Sequence, residues 1–192
     1  MAGSQAIALF GGAIICDIPS RFTDVPDTQE LWIERDGSTS IIFDITERVG
    51  EPGSGPEIDG RALTAHFEEV VGSDSSSARI WNTAETEFTT LNASARTRFP
   101  AYTLMATQKP EGPDRGMRND FTAILMTLLR LENRSTDILV TINVPHIKGE
   151  YDENEVDLEL GKQGKLVGAA VEALAMIWET FDIKDWNLFV DA

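Results

Sequence analysis

The segment between residues 121 and 144 constrains the fold most strongly. It holds two apolar runs, Phe121 to Leu131 and Ile138 to Val144, with only a short polar turn, Glu132 to Thr136, between them. Periodicity alone allows the first run to be a helix or a buried strand. Because so short a turn suits an antiparallel pair, we predict two central strands. Both runs are apolar at consecutive positions, so both faces of their sheet should be covered.

Two amphipathic segments can supply that cover. Leu63, Phe67 and either Val70 or Val71 recur at helical spacing and predict a first helix over Gly60 to Val71. A longer apolar stripe predicts a last helix over Gly161 to Phe181. We therefore expect an α/β (α+β) protein, an α/β/α sandwich around a central, mostly antiparallel sheet of about six strands. A length of 192 residues suits one domain, residues 1–192.

The other strands are predicted from β-branched runs between turn signals. Further strands are expected after the Gly11-Gly12 turn and over Thr28 to Arg35, Ser40 to Arg48, Ala78 to Thr83, Glu87 to Leu91, and Ala101 to Lys109. The turn Asp36-Gly37-Ser38 joins the second and third of these. Those two strands should therefore pair.

The charge narrows the class of partner. The chain has 32 acidic and 16 basic side chains, a formal net charge of −16. Such a balance argues against binding nucleic acid or an anionic membrane and favours a partner with a basic surface. Composition alone fits equally well a charge that only maintains solubility. We expect a monomer that binds neither nucleic acid nor membrane.

The chain ends and the cysteine point to an intracellular protein. No window reaches the length of a membrane span, and Met1 to Ala8 lack the basic and apolar parts of a secretory signal. Cys16 lies in an apolar run and is expected to be a buried structural thiol. A lone cysteine forms no disulfide within the chain, which fits a reducing compartment.

No motif for catalysis, metal or cofactor binding stands out. Gly11-Gly12 lacks the lysine and spacing of a phosphate loop. His66 and His146 have no cysteine partner and no zinc-type spacing, and no Gly-x-Ser-x-Gly elbow is present. The acidic stretch from Glu150 to Glu159 lacks the order of a calcium loop and is expected to be a solvated loop. We expect no metal and no cofactor. A hydrolase that uses either histidine with a carboxylate stays open as an alternative.

Early carboxylates form the remaining candidate site. They are Asp24, Asp27, Glu30, Asp44 and Glu47. Pairing of the second and third strands would bring Glu30 near the segment from Asp44 to Glu47. Strand alternation puts Asp44 and Glu47 on opposite faces unless the strand ends, bends or bulges between them. Neighbouring like charges cost stability. The group is therefore either solvated surface or a site kept for a cationic partner.

Several short sequence words occur together in a recognisable order. They are Leu9-Phe10-Gly11-Gly12-Ala13-Ile14, Pro26-Asp27-Thr28-Gln29-Glu30, Ile41-Ile42-Phe43-Asp44-Ile45-Thr46-Glu47, His66-Phe67-Glu68-Glu69, Leu128-Leu129-Arg130-Leu131, and the stretch from Thr136 to Pro145. With this ordered set, the chain resembles the Ran guanine nucleotide release factor family, also called the Mog family. That family shares its fold with the PsbP proteins of photosynthesis.

The resemblance implies a fold, a partner and a set of binding residues. The fold is a PsbP-like α/β/α sandwich. The function is binding to the small GTPase Ran with release of its guanine nucleotide, in nucleocytoplasmic transport, in nucleus and cytoplasm. The family's acidic words assign Ran binding to Asp24, Asp27, Glu30, Asp44 and Glu47. A PsbP-like binding module with a different protein partner is the alternative.

The chain departs from the family pattern in one loop. Family members usually carry a few more residues between the Phe-x-Asp-Val word and the Pro-Asp-x-Gln-Glu word, whereas Val25 runs directly into Pro26 here. The loop beside Asp24 is therefore shortened. Loops tolerate such changes in length, so the expected effect ranges from none to weaker Ran binding.

Overall fold

The computed structural model describes residues 3–26, 30–72, 77–110 and 119–189. The strands are β1 (Ser4–Leu9), β2 (Ile14–Pro19), β3 (Phe22–Asp24), β4 (Glu30–Glu34), β5 (Ser40–Glu47), β6 (Ala78–Glu85), β7 (Ala101–Gln108), β8 (Asn119–Leu131), β9 (Thr136–Ile147), β10 (Val156–Asp157), β11 (Lys162–Gln163) and β12 (Asp182–Ile183). The α-helices are α1 (Pro56–Val71), α2 (Thr89–Ala95) and α3 (Gly164–Thr180).

One large sheet organises the described chain. Its seven strands lie in the order β3-β4-β5-β9-β8-β7-β6, and each neighbouring pair is antiparallel. The antiparallel sheet is confirmed, with one strand more than the six expected. A smaller sheet has the order β1-β2-β12, and β10 pairs with β11 separately. The strand β1 was absent from the sequence prediction.

The two central strands behave as their sequence predicts. A single 3-10 turn at Glu132–Arg134 joins β8 to β9, and the two strands pair along most of their length. Ile124, Met126 and Leu128 pack on the α1 side of the sheet. Leu125 and Leu129, between and beside them, join the core on the other side. Successive side chains of a strand point to opposite faces, so a strand that is buried on both faces requires apolar residues at consecutive positions.

The helix α1 covers one face of the large sheet. Leu63, Phe67 and Val71 are buried against β7 and β8, as the sequence predicted. The helix begins at Pro56, earlier than the predicted Gly60. Proline is favoured in the first helical turn because its missing N–H would have no intrahelical partner there.

A mixed layer covers the opposite face. The helix α3 buries Val167, Leu174 and Ile177, and it packs on β2 of the small sheet as well as on β8 and β9. Cys16 of β2 lies in the same core, as expected. The sandwich is therefore confirmed, but one of its outer layers is built from helices and a small sheet together. None of the described helices is long and apolar enough to cross a membrane.

One predicted strand is wrong. Glu87 to Leu91 was expected to be a strand, but the chain forms the short helix α2 over Thr89–Ala95. Phe88 and Leu91 are both buried, and their spacing of three residues fits a helical face. Strand alternation would put these two residues on opposite faces, and α2 instead packs against α3.

Candidate partner-binding surface

The sequence-predicted carboxylates gather at one end of the large sheet, apart from Asp27, which lies outside the described residues. At this end β3 ends, β4 begins, β5 ends and β9 begins. The register pairs Asp24 with Trp32, Glu30 with Phe43, and Glu47 with Thr136. We call the four described carboxylates, Asp24, Glu30, Asp44 and Glu47, the acidic end.

Strand register assigns each carboxylate to a face. The pairing of β5 with β9 runs without a bulge from Ser40 to Glu47. Alternation therefore turns Asp44 to the α1 face and Glu47 to the opposite face. Glu30 lies across from Phe43 and so shares the face of Glu47, about 13 Å away along the strand direction. The same register puts Asp24 on that face.

Three of the four carboxylates have no partner in the described structure. The side chains of Asp24, Asp44 and Glu47 make no hydrogen bond or ion pair with any described residue. Glu30 differs, because one of its oxygens accepts a hydrogen bond from the Phe10 N–H in the turn after β1. Burial raises the pKa of the half-buried Asp44 carboxyl. No ion pair within the described residues therefore involves the Asp24, Asp44 or Glu47 carboxylate.

The surroundings of Asp24 and Glu47 suit a contact surface. Asp24 is exposed at the end of β3, and the pairing with β4 continues one residue further, where the Val25 N–H donates to the Leu31 carbonyl at 3.0 Å. The shortened loop therefore leaves Asp24 on a strand end. Glu47 is exposed at a cavity of about 500 Å³, whose lining also includes Thr46, Arg48 and Arg134.

A buried polar cluster lies behind the acidic end, under α1. Arg130 of β8 donates from Nη1 to Asp59 at 2.9 Å and from Nε to Asp137 of β9 at 3.0 Å. His66 of α1 contacts the other oxygen of Asp137 through Nε2 at 2.9 Å. All four side chains are at most 1% exposed. We call Asp59, His66, Arg130 and Asp137 the buried cluster.

The buried cluster fixes the chain that follows Glu47. The Val49 N–H donates to Asp137 at 3.0 Å, and the Val49 carbonyl accepts from Arg130. Arg48 forms an ion pair with Glu132 at 2.7 Å. Desolvation would raise the pKa of Asp137, but hydrogen bonds from His66 and Val49 and the charge of Arg130 outweigh it and lower that pKa. The ionised Asp137 carboxylate therefore fixes the chain directly after β5.

Sequence reasoning missed the buried cluster. One signal was present, since Arg130 is the one charged residue of the apolar run Phe121 to Leu131, and a buried arginine needs carboxylate partners. The partners could not be chosen without the fold, because Asp59 is 71 residues away in sequence. The cluster is sealed, so His66 and Asp137 have no route to a substrate.

The other histidine lies apart from the buried cluster. His146 lies near the far end of β9 and is fully buried, and its Nδ1 donates to the Val144 carbonyl at 3.0 Å. No hydrogen bond joins it to a described carboxylate. Among the described residues there is also no group of His, Cys, Asp and Glu side chains arranged to hold a metal ion.

The comparison with protein families identifies the family of this chain. A family described as "Ran-interacting Mog1 protein" matches residues 7–145, which include the acidic end. The chain belongs to this Mog1 family. The match also spans β8 and β9, so it covers both the sheet and the strands that carry the buried cluster.

Relatives of this Mog1-family chain match it over nearly its full length. A Dictyostelium discoideum protein named "Probable ran guanine nucleotide release factor" is 29% identical over 95% of this chain and 94% of its own length. The Schizosaccharomyces pombe protein named "Nuclear import protein mog1" is 22% identical over 95% of this chain and 99% of its own.

Solved structures agree on the fold. The Saccharomyces cerevisiae Ran-binding protein Mog1p superposes with a TM-score of 0.71 at 22% identity, covering 99% of this chain and 100% of that one. A cyanobacterial PsbP from Synechocystis superposes with a TM-score of 0.50 at 14% identity, covering 95% of this chain and 94% of its own. The Mog1-family fold is therefore PsbP-like in this chain, as the sequence words implied.

Proposed function

We propose that this protein binds the small GTPase Ran through its acidic end and promotes release of the bound guanine nucleotide, in support of nucleocytoplasmic protein transport. Its site of action is then the nucleus and cytoplasm, and it acts as a monomer without covalent catalysis. Support comes from membership of the Ran-interacting Mog1 family and from relatives named as a release factor and a nuclear import protein.

The observation that carries the proposal is the set of unpartnered carboxylates. Asp24, Asp44 and Glu47 share one end of the sheet, and none of the three carboxylates forms an ion pair with a described residue. Gathering like charges without pairing them costs stability, and such a cost is expected where the charges serve a partner. Asp27 lies outside the described residues, and we include it in the proposed surface by its place in the family's word.

The orientation of Asp44 and Glu47 restricts the kind of partner surface that can contact both side chains. They point to opposite sides of β5, so a flat partner surface would touch only one of them. The described pairing of β5 with β4 stops at Phe43, and the strand continues to Glu47. A partner that encloses this projecting strand end would reach both carboxylates.

A physical route to nucleotide release follows from this chemistry. A GTPase holds its nucleotide with a lysine and a magnesium ion against the phosphates. A carboxylate of the acidic end would offer that lysine another partner and so favour the empty state. The effect requires tighter binding to empty Ran than to loaded Ran, and linkage makes nucleotide and this protein weaken each other's binding by the same factor.

The test is the affinity for Ran in its empty and loaded forms. Purified protein is titrated with nucleotide-free, GDP-loaded and GTP-loaded Ran at two salt concentrations. We expect the tightest binding to empty Ran, and weaker binding at higher salt because the contact is charged. Equal affinity for all three forms would contradict the release activity. Absence of binding to any form would contradict the choice of partner and favour a PsbP-like module with another one.

A further inference from the structure

A second candidate site lies at the opposite end of β9. A cavity of about 380 Å³ opens between the end of this strand, the turn that follows it and the start of α3. Its lining includes His146, Tyr151 and Lys165. His146 is ten residues beyond Thr136, about 33 Å along the strand. The cavity is therefore separate from the acidic end.

His146 presents an unused hydrogen-bond acceptor beside this cavity. The residue is fully buried, and its Nδ1 donates to the Val144 carbonyl at 3.0 Å. Burial lowers the pKa of His146, against the opposing effects of that hydrogen bond and of the Asp120 charge. In the neutral ring Nε2 is then an acceptor. Nε2 is buried and has no partner among the described residues, and buried polar atoms seldom stay unpaired.

The neighbouring aromatic rings hold His146 but do not supply a donor. Phe121 stacks on the imidazole with ring centroids 4.1 Å apart. Tyr151 meets it edge-on with centroids 4.8 Å apart. The Tyr151 hydroxyl donates instead to Asp120 at 2.9 Å. Among the described residues no group therefore donates to Nε2 of His146, which lines the cavity.

The rim of the cavity is negatively charged. Glu150, Asp152 and Glu155 line it together with one cation, Lys165. The Lys165 ammonium pairs with Glu155 at 3.0 Å. Asp152 accepts from its own turn at Asn154. The Glu150 carboxylate has no partner among the described residues. An occupant that donates a hydrogen bond and also carries positive charge would satisfy both the histidine and the rim.

We propose that this cavity binds an alkylguanidinium or alkylammonium group, which donates a hydrogen bond to Nε2 of His146 while Glu150 and Asp152 balance its charge. The same chemistry has two sources: a basic side chain of a partner protein, or a free amine such as a polyamine. Tyr151 lines the cavity beside these carboxylates, and cations are attracted to the faces of aromatic rings.

The test uses small probes and the nitrogen resonance of His146. The full chain, labelled with ¹⁵N in histidine, is titrated with butylguanidinium and, as a neutral match, with butylurea. We expect saturable binding of the cation and an upfield shift of the Nε2 resonance as it accepts a hydrogen bond. Equal binding of butylurea would overturn the assignment of a cation. An unchanged Nε2 resonance at saturating butylguanidinium would overturn the site.

Matched variants check the two kinds of contact. His146→Phe keeps a flat ring on Phe121 but removes Nε2, and Glu150→Gln removes charge only. Each should weaken butylguanidinium binding at least about tenfold, the loss expected for one hydrogen bond to a charged group. Glu172→Gln changes an exposed carboxylate of α3 away from the cavity and should bind as the unaltered protein does. Wild-type affinity in Glu150→Gln would count against the proposal even if His146→Phe fails to fold.

Two further probes distinguish the sources. The capped tripeptide Gly-Arg-Gly and spermidine are titrated under the same conditions. Binding of the tripeptide at least tenfold tighter than butylguanidinium supports a protein side chain as the occupant. The same gain for spermidine supports a free polyamine. Failure of both to shift the His146 resonance would contradict the proposal.

Discussion

The buried cluster gives a quantitative prediction for Asp137→Asn. The carboxylate accepts hydrogen bonds from Arg130, His66 and Val49. The Asp137 side chain is fully buried. The amide keeps the shape but removes the charge, and its NH₂ group must face one of the three donors. Loss of one member of a buried ion pair costs about 3–5 kcal/mol.

Chemical and thermal unfolding measure that cost. For a chain of this length, each kcal/mol corresponds to roughly 2–4 °C, so Tm should fall by roughly 6–20 °C. Urea unfolding at pH 7 gives the free energy directly. Glu172→Gln, an exposed change on α3, is the control and should stay within about 0.5 kcal/mol of the unaltered protein. A loss of less than about 1 kcal/mol for Asp137→Asn would refute the role given to the cluster.

The difference in the free energy of unfolding between the unaltered protein and Asp137→Asn should depend on pH, and the pKa of Asp137 sets the direction of that dependence. The pKa of Asp137 is lowered from its ordinary value of 3.8 by folding. Its ionisation therefore stabilises the fold above that value, and this contribution is lost as pH falls through the lowered pKa. The stability gap between the unaltered protein and Asp137→Asn should be constant near neutrality and shrink in acid. A gap that grows below pH 4 would contradict the sign.

Three smaller predictions test other contacts. Burial raises the pKa of Cys16, so a thiol reagent at pH 8 should label it only after unfolding in urea. Burial and the hydrogen bond to Asp120 raise the pKa of Tyr151 to about 12, and Asp120→Asn should lower it in an ultraviolet titration. Glu30→Ala removes the acceptor of the Phe10 N–H and should cost about 1–3 kcal/mol in urea unfolding, whereas Glu51→Ala, an exposed loop change, should cost almost nothing.

Much of the fold follows from local pattern. The runs at 121–131 and 138–144 predict the central strands because a strand buried on both faces needs apolar residues at consecutive positions. The first and last helices are equally clear from their apolar stripes. The strand predicted at Glu87–Leu91 is wrong, because so short a segment carries too few residues to establish a period, although Phe88 and Leu91, three apart, fit a helical face. The small sheet depends on β12 returning to β2, a contact without local signal.

The candidate surface was predictable in part. The position of Glu30 near the end of β5 follows from the short turn that joins β4 to β5. The opposite faces of Asp44 and Glu47 follow from the alternation of side chains along β5. The buried cluster was not predictable, because its members meet only when α1 lies over β8 and β9. The acceptor at His146 was equally hidden, since sequence does not tell which buried polar atom stays unpaired.

The central claim concerns Glu47, which lies exposed at the end of β5 without a described partner. The most direct measurement is the rate at which Ran releases a fluorescent guanine nucleotide when this protein is added. The unaltered protein should accelerate release, and Glu47→Lys should lose at least about 30-fold in effective concentration, the effect of about 2 kcal/mol at a charged contact. Glu172→Lys makes the same charge reversal on α3 and should act as the unaltered protein does. Equal acceleration by Glu47→Lys and the unaltered protein would contradict the account.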